Sequence, residues 1–369
     1  MKIAFRVDAS LQIGTGHVMR CLTLAEELKK NGASCHFICR EHTGNLFGLI
    51  KDRGFELTPL HFEVPNKSIS SKEHSDTLKY ASWSGVDWKL DAEQTVAAIS
   101  NFEPDWLVVD HYGLDRAWET YVKSYTRYFM VIDDLADRFH TCDLLLDQNL
   151  GRVVSDYSAL TPKQNVSLIG PKYALLRPEF AALREYSLNR RSYSQLKSIM
   201  ISMGGVDNYN ASGQVLKSLE SSNLPLDCQV SIVLGQHSPW LQNVRQAAKK
   251  SKLQVNVFCD VKDMARKLAD CDLAIGAGGI TSWERACLGV PSFIVVLADN
   301  QRLGASALHN LGAAKIIGQI NDIQIQLPLR ISEVIGSSLL ETMSNSTAEI
   351  TDGLGASRVV EVMRRVISS

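Results

Sequence analysis

Short, wholly apolar runs alternate along this chain with stretches whose apolar residues recur at helical spacing. Residues 2–7 read as a buried strand, and residues 18–30 as an amphipathic helix stopped by Asn31-Gly32. Residues 34–39 form the next strand, and residues 46–51 a weaker helix. The stretch 61–90 is polar and irregular, a length that suits an active-site loop better than a linker. A helix over 91–100 follows, then a strand over 106–110 ending in Asp110-His111-Tyr112, and one over 129–132 ending in Asp133-Asp134. Buried strands alternating with helices predict an α/β fold built on a doubly wound parallel sheet.

The alternation breaks at residues 171–195, which contain Arg177-Pro178 and the basic run Asn189-Arg190-Arg191, and an interdomain crossing is expected there. A second series follows. Strands are expected over 198–203, 229–234, 255–258, 273–275 and 293–296, with helices over 209–219, 239–250, 261–269 and 282–288. The last helix, over 356–367, places Val359, Met363 and Val366 on one face. The expected domains are therefore residues 1–170, a crossing over 171–195, a second α/β domain over 196–350, and a C-terminal helix in 351–369 packing back on the first. The length of 369 residues agrees with two cores rather than one.

Composition narrows the function. Hydrophobic residues make up 45% and charged residues 21%, an ordinary globular balance. Lys plus Arg is 39 against 40 Asp plus Glu, so no global field draws the chain to nucleic acid or to an anionic membrane. The opening MKIAFRVDAS is too short and too charged for a signal peptide, and no apolar run is long enough to span a bilayer. A cytoplasmic location follows as an expectation. The eight cysteines contain no Cys-x-x-Cys pair and read as reduced core residues.

In open α/β sheets, ligands bind beyond the carboxyl ends of the strands. After the first strand come Arg6, Asp8 and Gly14-Thr15-Gly16-His17, at a predicted helix N-terminus that suits an anion. The third glycine of a dinucleotide fingerprint falls at Met19, which argues against a nicotinamide cofactor. His17 is a candidate base, a helix N-cap or a simple surface histidine. Asp110 either lines the same edge or caps the next helix. Asp133 and Asp134, adjacent in extended chain, point to opposite faces and are expected to cap or order a loop.

In the second half, Met203-Gly204-Gly205 suits a diphosphate, because glycines clear the space before a row of backbone donors. The segment Gly276-Ala-Gly278-Gly279-Ile-Thr281-Ser282-Trp-Glu284 offers helix caps and a carboxylate for a ribose diol or for the helix dipole. Asp299-Asn300-Gln301 adds amides for a sugar or water. Asp270-Cys271-Asp272 precedes its strand and is read as a cap on the opposite edge. The nine histidines show no zinc spacing, and no metal is expected.

Taken in order, Arg6-x-Asp8-x-Ser10-x-x-Ile13-Gly14-x-Gly16-His17-x-x-Arg20, Asp110-His111-Tyr112-Gly113, Ile132-Asp133-Asp134-Leu135-Ala136-Asp137-Arg138, Asp143-Leu-Leu-Leu-Asp147-Gln148-Asn149, Tyr173-Ala-Leu-Leu-Arg177, Met203-Gly204-Gly205-x-Asp207, Glu284 and Asn300-Gln301 resemble one family. It is the UDP-2,4-diacetamido-2,4,6-trideoxy-β-L-altropyranose hydrolase (PseG) family of pseudaminic acid biosynthesis, and the resemblance covers nearly the whole chain. That family is similar to the GT-B glycosyltransferases, which implies two Rossmann-like domains facing a central cleft, with UDP held mainly by the second and no metal or cofactor.

The implied reaction is hydrolysis of a UDP-sugar at the anomeric carbon with inversion, serving flagellin glycosylation or a cell-surface polysaccharide. By motif position His17 would be the base, and Tyr112 and Asn300 would place the sugar or water. Glu284 would hold the ribose, and Gly204, Gly205, Gly278 and Gly279 would line the diphosphate and nucleotide. Arg6, Asp8, Gly14, Gly16, Asp110, Met203 and Gln301 would complete the substrate-binding set. The implied partner is the UDP-sugar alone, bound by a monomer or weak homodimer. The chain departs from compact members by its length over 61–90 and by Trp83-Ser84-Gly85 there. A transferase of the same fold would need an acceptor alcohol where water is placed, and a sugar-nucleotide-binding protein without catalysis would not need His17.

Overall fold

The computed structural model describes residues 1–62, 80–191, 195–236 and 238–368. Most of the 61–90 stretch, with His74, and also His237 lie outside the described residues. The chain divides into two compact units, Met1–Leu175 with Ala356–Ser369, and Leu176–Gly355.

The first unit runs β1 (Lys2–Val7), α1 (Gly16–Lys30), β2 (Ser34–Arg40), α2 (Phe47–Asp52), β3 (Glu56–Leu60), α3 (Trp88–Ile99), β4 (Trp106–Asp110), α4 (Arg116–Lys123), β5 (Tyr128–Ile132), β6 (Leu144–Asp147) and β7 (Val166–Ile169). Its parallel sheet has the order β3-β2-β1-β4-β5-β6-β7. The central strands β4, β5 and β6 are apolar through their length up to a polar tip because helices cover both faces. Phe5 of β1 packs with Val18, Leu24 and Phe37 on one face, while Ala4 packs with Ile38, Trp118 and Phe129 on the other. Pro59 is tolerated in β3 because that strand is an edge.

The second unit runs α5 (Pro178–Arg191), β8 (Ser198–Ser202), α6 (Ala211–Leu219), β9 (Gln229–Leu234), α7 (Leu241–Lys250), β10 (Gln254–Cys259), α8 (Met264–Asp270), β11 (Leu273–Ala277), α9 (Thr281–Cys287), β12 (Ser292–Val295), α10 (Arg302–Asn310), β13 (Ala314–Gly318), α11 (Ile323–Val334) and α12 (Leu339–Ala348). Its sheet order is β10-β9-β8-β11-β12-β13, again parallel. Ile199, Ile201, Val230, Ile232, Ile275 and Phe293 lie in its core.

Residues 178–191, read as part of a crossing because the alternation breaks there, form a helix built into the second unit. Arg191 is buried and donates to the carbonyls of Leu268, Ala269 and Cys271, the open end of α8, and to that of Gly289. Arg184 donates to the carbonyls of Cys287, Ala348 and Thr351. Guanidinium groups are used here to satisfy helix C-terminal carbonyls. The last helix, α13 (Gly355–Ser368), buries Ala356, Val359, Val360 and Met363 in the core of the first unit. Asp272 sits at the amino edge of its sheet, accepting from the Lys197 and Ser198 amides, and Asp270 pairs with Arg266. No helix among the described residues is long and apolar enough to cross a membrane.

Candidate functional site

In each sheet the strand order reverses once at the centre, between β1 and β4 in the first unit and between β8 and β11 in the second. Chain leaves both strands in opposite directions at such a point, which opens a crevice at their carboxyl ends.

In the first unit that edge is filled with side chains. The loop after β1 is turned by Ser10, whose hydroxyl accepts from the Gln12 and Ile13 amides, and by Gly14, whose amide donates to the Ser10 carbonyl. Gly16 opens α1. His17 and Arg20, three residues apart, share one helix face. The Nδ1–H of His17 donates to Asp110 Oδ1 at 2.5 Å. A carboxylate can only accept, so this bond puts a ring proton on Nδ1, and Nε2 is the nitrogen that carries the lone pair of the neutral ring.

Arg20 grips Asp110 through Nε and Nη2 at 2.6 and 2.7 Å, and Asp134 through Nη1 and Nη2 at 3.0 and 2.8 Å. Burial alone would raise the Asp110 pKa. Arg20 and His17 more than reverse that, so it lies well below the usual carboxylate range. Asp134 is lowered in the same way by Arg20 against the cost of burial. Tyr112 donates its hydroxyl to Asp134 at 2.5 Å, and burial together with that carboxylate pushes the phenol upward. The phenol therefore stays protonated.

Several expectations change here. Asp110 neither caps α4, a task done by Asp115, nor offers a free oxygen to a ligand, since it is fully buried and holds His17 and Arg20. Arg6 and Asp8, expected to bind substrate, are also fully buried. Arg6 pairs with Asp8 and Asp91 at 2.6 Å each, and Asp91 also accepts from Arg40 and the Trp118 indole. Their charges tie the ends of β1 and β2 to α3, and burying them is tolerable only because each is paired. Asp133 orders its loop as expected, accepting from the Leu135 and Ala136 amides. Asp134, read alongside it as a cap, belongs instead to the His17 network. One turn of helix between His17 and Arg20 was the signal for that clamp; the signal for Asp134 was its place at a strand end.

The second unit's edge is lined by backbone. Gly204 follows β8 at φ 89, a conformation that other residues adopt with strain, and nothing lies within 4 Å of where its Cβ would be. The Gly205 carbonyl is pinned by the Gly235 amide at 2.9 Å. Met203, expected to bind substrate, has its side chain in the hydrophobic core. Gly278 and Gly279 follow β11, and Gln301 Oε1 accepts from the Gly278 and Leu297 amides, joining two turns rather than facing a ligand. Asn300 is exposed on the turn Asp299–Gln301.

Neither Thr281 nor Ser282 caps α9; Ile280 occupies that position, and Ser282 instead accepts from Arg285. Arg285 was not singled out in the sequence. It is buried beneath the Gly276–Gly279 turn, its Nε without a partner, and burial lowers its pKa to about 10. Glu284 faces Arg177 at 3.5 Å with its carboxylate partly accessible, and burial raises its pKa against the pull of Arg177. Beside the Asp299–Gln301 turn lies an open hollow lined in part by Tyr209, Leu297, Asp299, Arg302 and Ile320.

The whole chain superposes on MurG from Acinetobacter baumannii with a TM-score of 0.70 at 14% identity, covering 99% of each chain. The fold is GT-B. Within it, residues 185–358 match the glycosyltransferase family 28 C-terminal domain. The chain is 27% identical over 313 residues to UDP-2,4-diacetamido-2,4,6-trideoxy-beta-L-altropyranose hydrolase of Campylobacter jejuni, spanning 85% of this chain and 97% of that one. It is 26% identical over 306 residues to the uncharacterized protein MJ1062 of Methanocaldococcus jannaschii, spanning 82% of this chain but only 56% of that protein's length. The GT-B chain thus places two different surfaces at equivalent sheet edges, one of paired side chains and one of glycine backbone.

Proposed function

We propose that this chain hydrolyses a UDP-linked diacetamido-trideoxy sugar at its anomeric carbon with inversion. The observation that carries the reading is the His17–Asp110 pair, which leaves Nε2 of a fixed ring as the proton acceptor. As the water oxygen bonds to the anomeric carbon, its proton passes to Nε2. The bond from that carbon to the β-phosphate oxygen breaks, and UDP leaves with the electron pair. Asp110, ionised, then stabilises the imidazolium, and Arg20 keeps Asp110 in place. UDP is already a good leaving group, so a second carboxylate acid is less necessary than in ordinary glycosidases.

In the second unit, the amides of Gly204, Gly205 and Gly279 are assigned to the diphosphate, with the buried Arg285 cation supporting the charge, while Gly278, its amide held by Gln301, shapes the turn. Glu284 is assigned to the ribose diol, and Asn300 to the sugar. Tyr112, engaged with Asp134, walls the His17 ring and contributes shape. The GT-B fold and the Campylobacter relative's name support a nucleotide-sugar substrate.

The test is to incubate the purified full chain with UDP-2,4-diacetamido-2,4,6-trideoxy-β-L-altropyranose in buffer without an acceptor alcohol. UDP is followed by anion-exchange chromatography and the sugar's anomeric configuration by proton NMR. Release of UDP with inverted free sugar is expected. UDP release that begins only after an acceptor is added would make the protein a transferase.

A further inference from the structure

The turn at Tyr80 to Gly85 lies against Tyr112 and His17. Ala81–Ser84 form a 3-10 turn, closed by the Trp83 amide donating to the Tyr80 carbonyl at 2.9 Å and ended by Gly85 at φ 71. The turn is firmly seated. Ser84 is buried and donates to the Val86 carbonyl at 2.6 Å. Gly113 approaches the Tyr80 carbonyl so closely that a Cβ there would lie 2.6 Å from it, which leaves no room for any other residue.

From that seat Trp83 lies over Tyr112, ring centres 5.3 Å apart and planes 20° from parallel. Tyr80 flanks both rings at 4.7 and 5.3 Å. Tyr112 in turn stands against His17 at 4.7 Å, and Trp83 stands 6.2 Å from the same ring at 81°. With Asp110 and Arg20 on its other side, His17 keeps only 10% of its side-chain surface accessible.

A nucleophile that gives its proton to Nε2 must approach through that remaining surface. Water needs only the space of one oxygen there. An alcohol must bring a carbon substituent on the same oxygen, into the space that the indole and phenol rings enclose. We infer that Trp83 is a specificity-determining residue that reserves the nucleophile's position beside His17 for water and excludes alcohols. The inference rests on the hydrolase reading above and names what separates hydrolysis from transfer in this chain. Aromatic walls suit the task because their rigid rings exclude volume beside the histidine.

The experiment supplies methanol as a competing nucleophile. Its oxygen would bond to the anomeric carbon, its proton would go to Nε2, and UDP would leave as before, giving a methyl glycoside. Full-length wild type, Trp83→Phe and Trp83→Ala are incubated with the UDP-sugar in methanol-containing buffer, and the ratio of methyl glycoside to free sugar is read by mass spectrometry. Wild type and Trp83→Phe should give free sugar almost alone. Trp83→Ala should raise the ratio about tenfold or more, the scale on which a pocket discriminates small apolar groups.

Trp83→Leu, which keeps an apolar chain against Tyr112, gives the same comparison if alanine unseats the turn. An unchanged ratio in a variant that still releases UDP overturns the inference, as does ready methyl glycoside formation by wild type. Absence of UDP release by wild type overturns the hydrolase reading instead. A merely structural role for Trp83 would change the total rate and leave the ratio alone.

Discussion

The two units share a parallel, doubly wound sheet with one central reversal, yet their carboxyl edges are built from different materials. In the first, Asp110, Arg20, Asp134, His17 and Tyr112 are locked to one another, and a buried Arg6–Asp8–Asp91–Arg40 cluster lies at the ends of β1 and β2. In the second, glycines 204, 205, 278 and 279 form the turns, with open space where a Cβ would stand at Gly204 and Gly279, and Glu284 and Arg285 lie on the helix that follows. On the reading proposed above, the difference teaches that one architecture serves two tasks. Charged side chains clamped in a network hold one atom in one orientation, as proton transfer needs. Backbone amides around glycines accept a bulky anion without a side chain in the way.

The comparison breaks most sharply at His17. Replacing it in His17→Leu should lower turnover by a factor on the order of 10² or more while UDP affinity, measured by calorimetry, stays near wild type. Loss of UDP affinity instead would mean the first edge binds the nucleotide. The mirror experiment is Glu284→Ala, expected to weaken UDP binding about tenfold with a much smaller change in turnover at saturation. A collapse in saturated turnover with intact affinity would dissolve the division of labour.

A smaller effect sharpens the contrast in stability. His140, buried between Glu119 at 2.7 Å and Asp133 at 3.9 Å, would be lowered by burial alone, but those carboxylates raise it from 6.5 to about 9. Its folded-state pKa exceeds the unfolded one, so its stabilising contribution is complete below 6.5 and is lost as pH rises through about 9. His140→Asn should therefore flatten the fall in melting temperature across that window. A variant with the wild-type slope would show that other groups carry it.

Much of this was legible in the chain. The largely apolar runs of β1, β4 and β9 and the period of α1 and α13 define those elements locally, because a strand covered on both faces is mostly apolar and a helix must turn one stripe inward. The four-residue strands β6 and β7, and β3 with its Pro59, were not read as strands, since so short a run carries no period and takes its state from its neighbours. Trp83 was visible only as a departure from the resembling family; its contact with Tyr112 is a tertiary fact.

What the sequence by itself determined was the kind of sheet, the alternation that made two units, and which polar residues fall at strand ends. Tertiary structure alone decided which of those residues meet. His17 reaches Asp110 across 93 positions, Arg20 reaches Asp134 across 114, and Arg6 and Asp8 are withdrawn from any ligand by burial. Periodicity reports which face of an element is buried, while the partner of a buried charge is set by strand order, and strand order is a property of the folded chain.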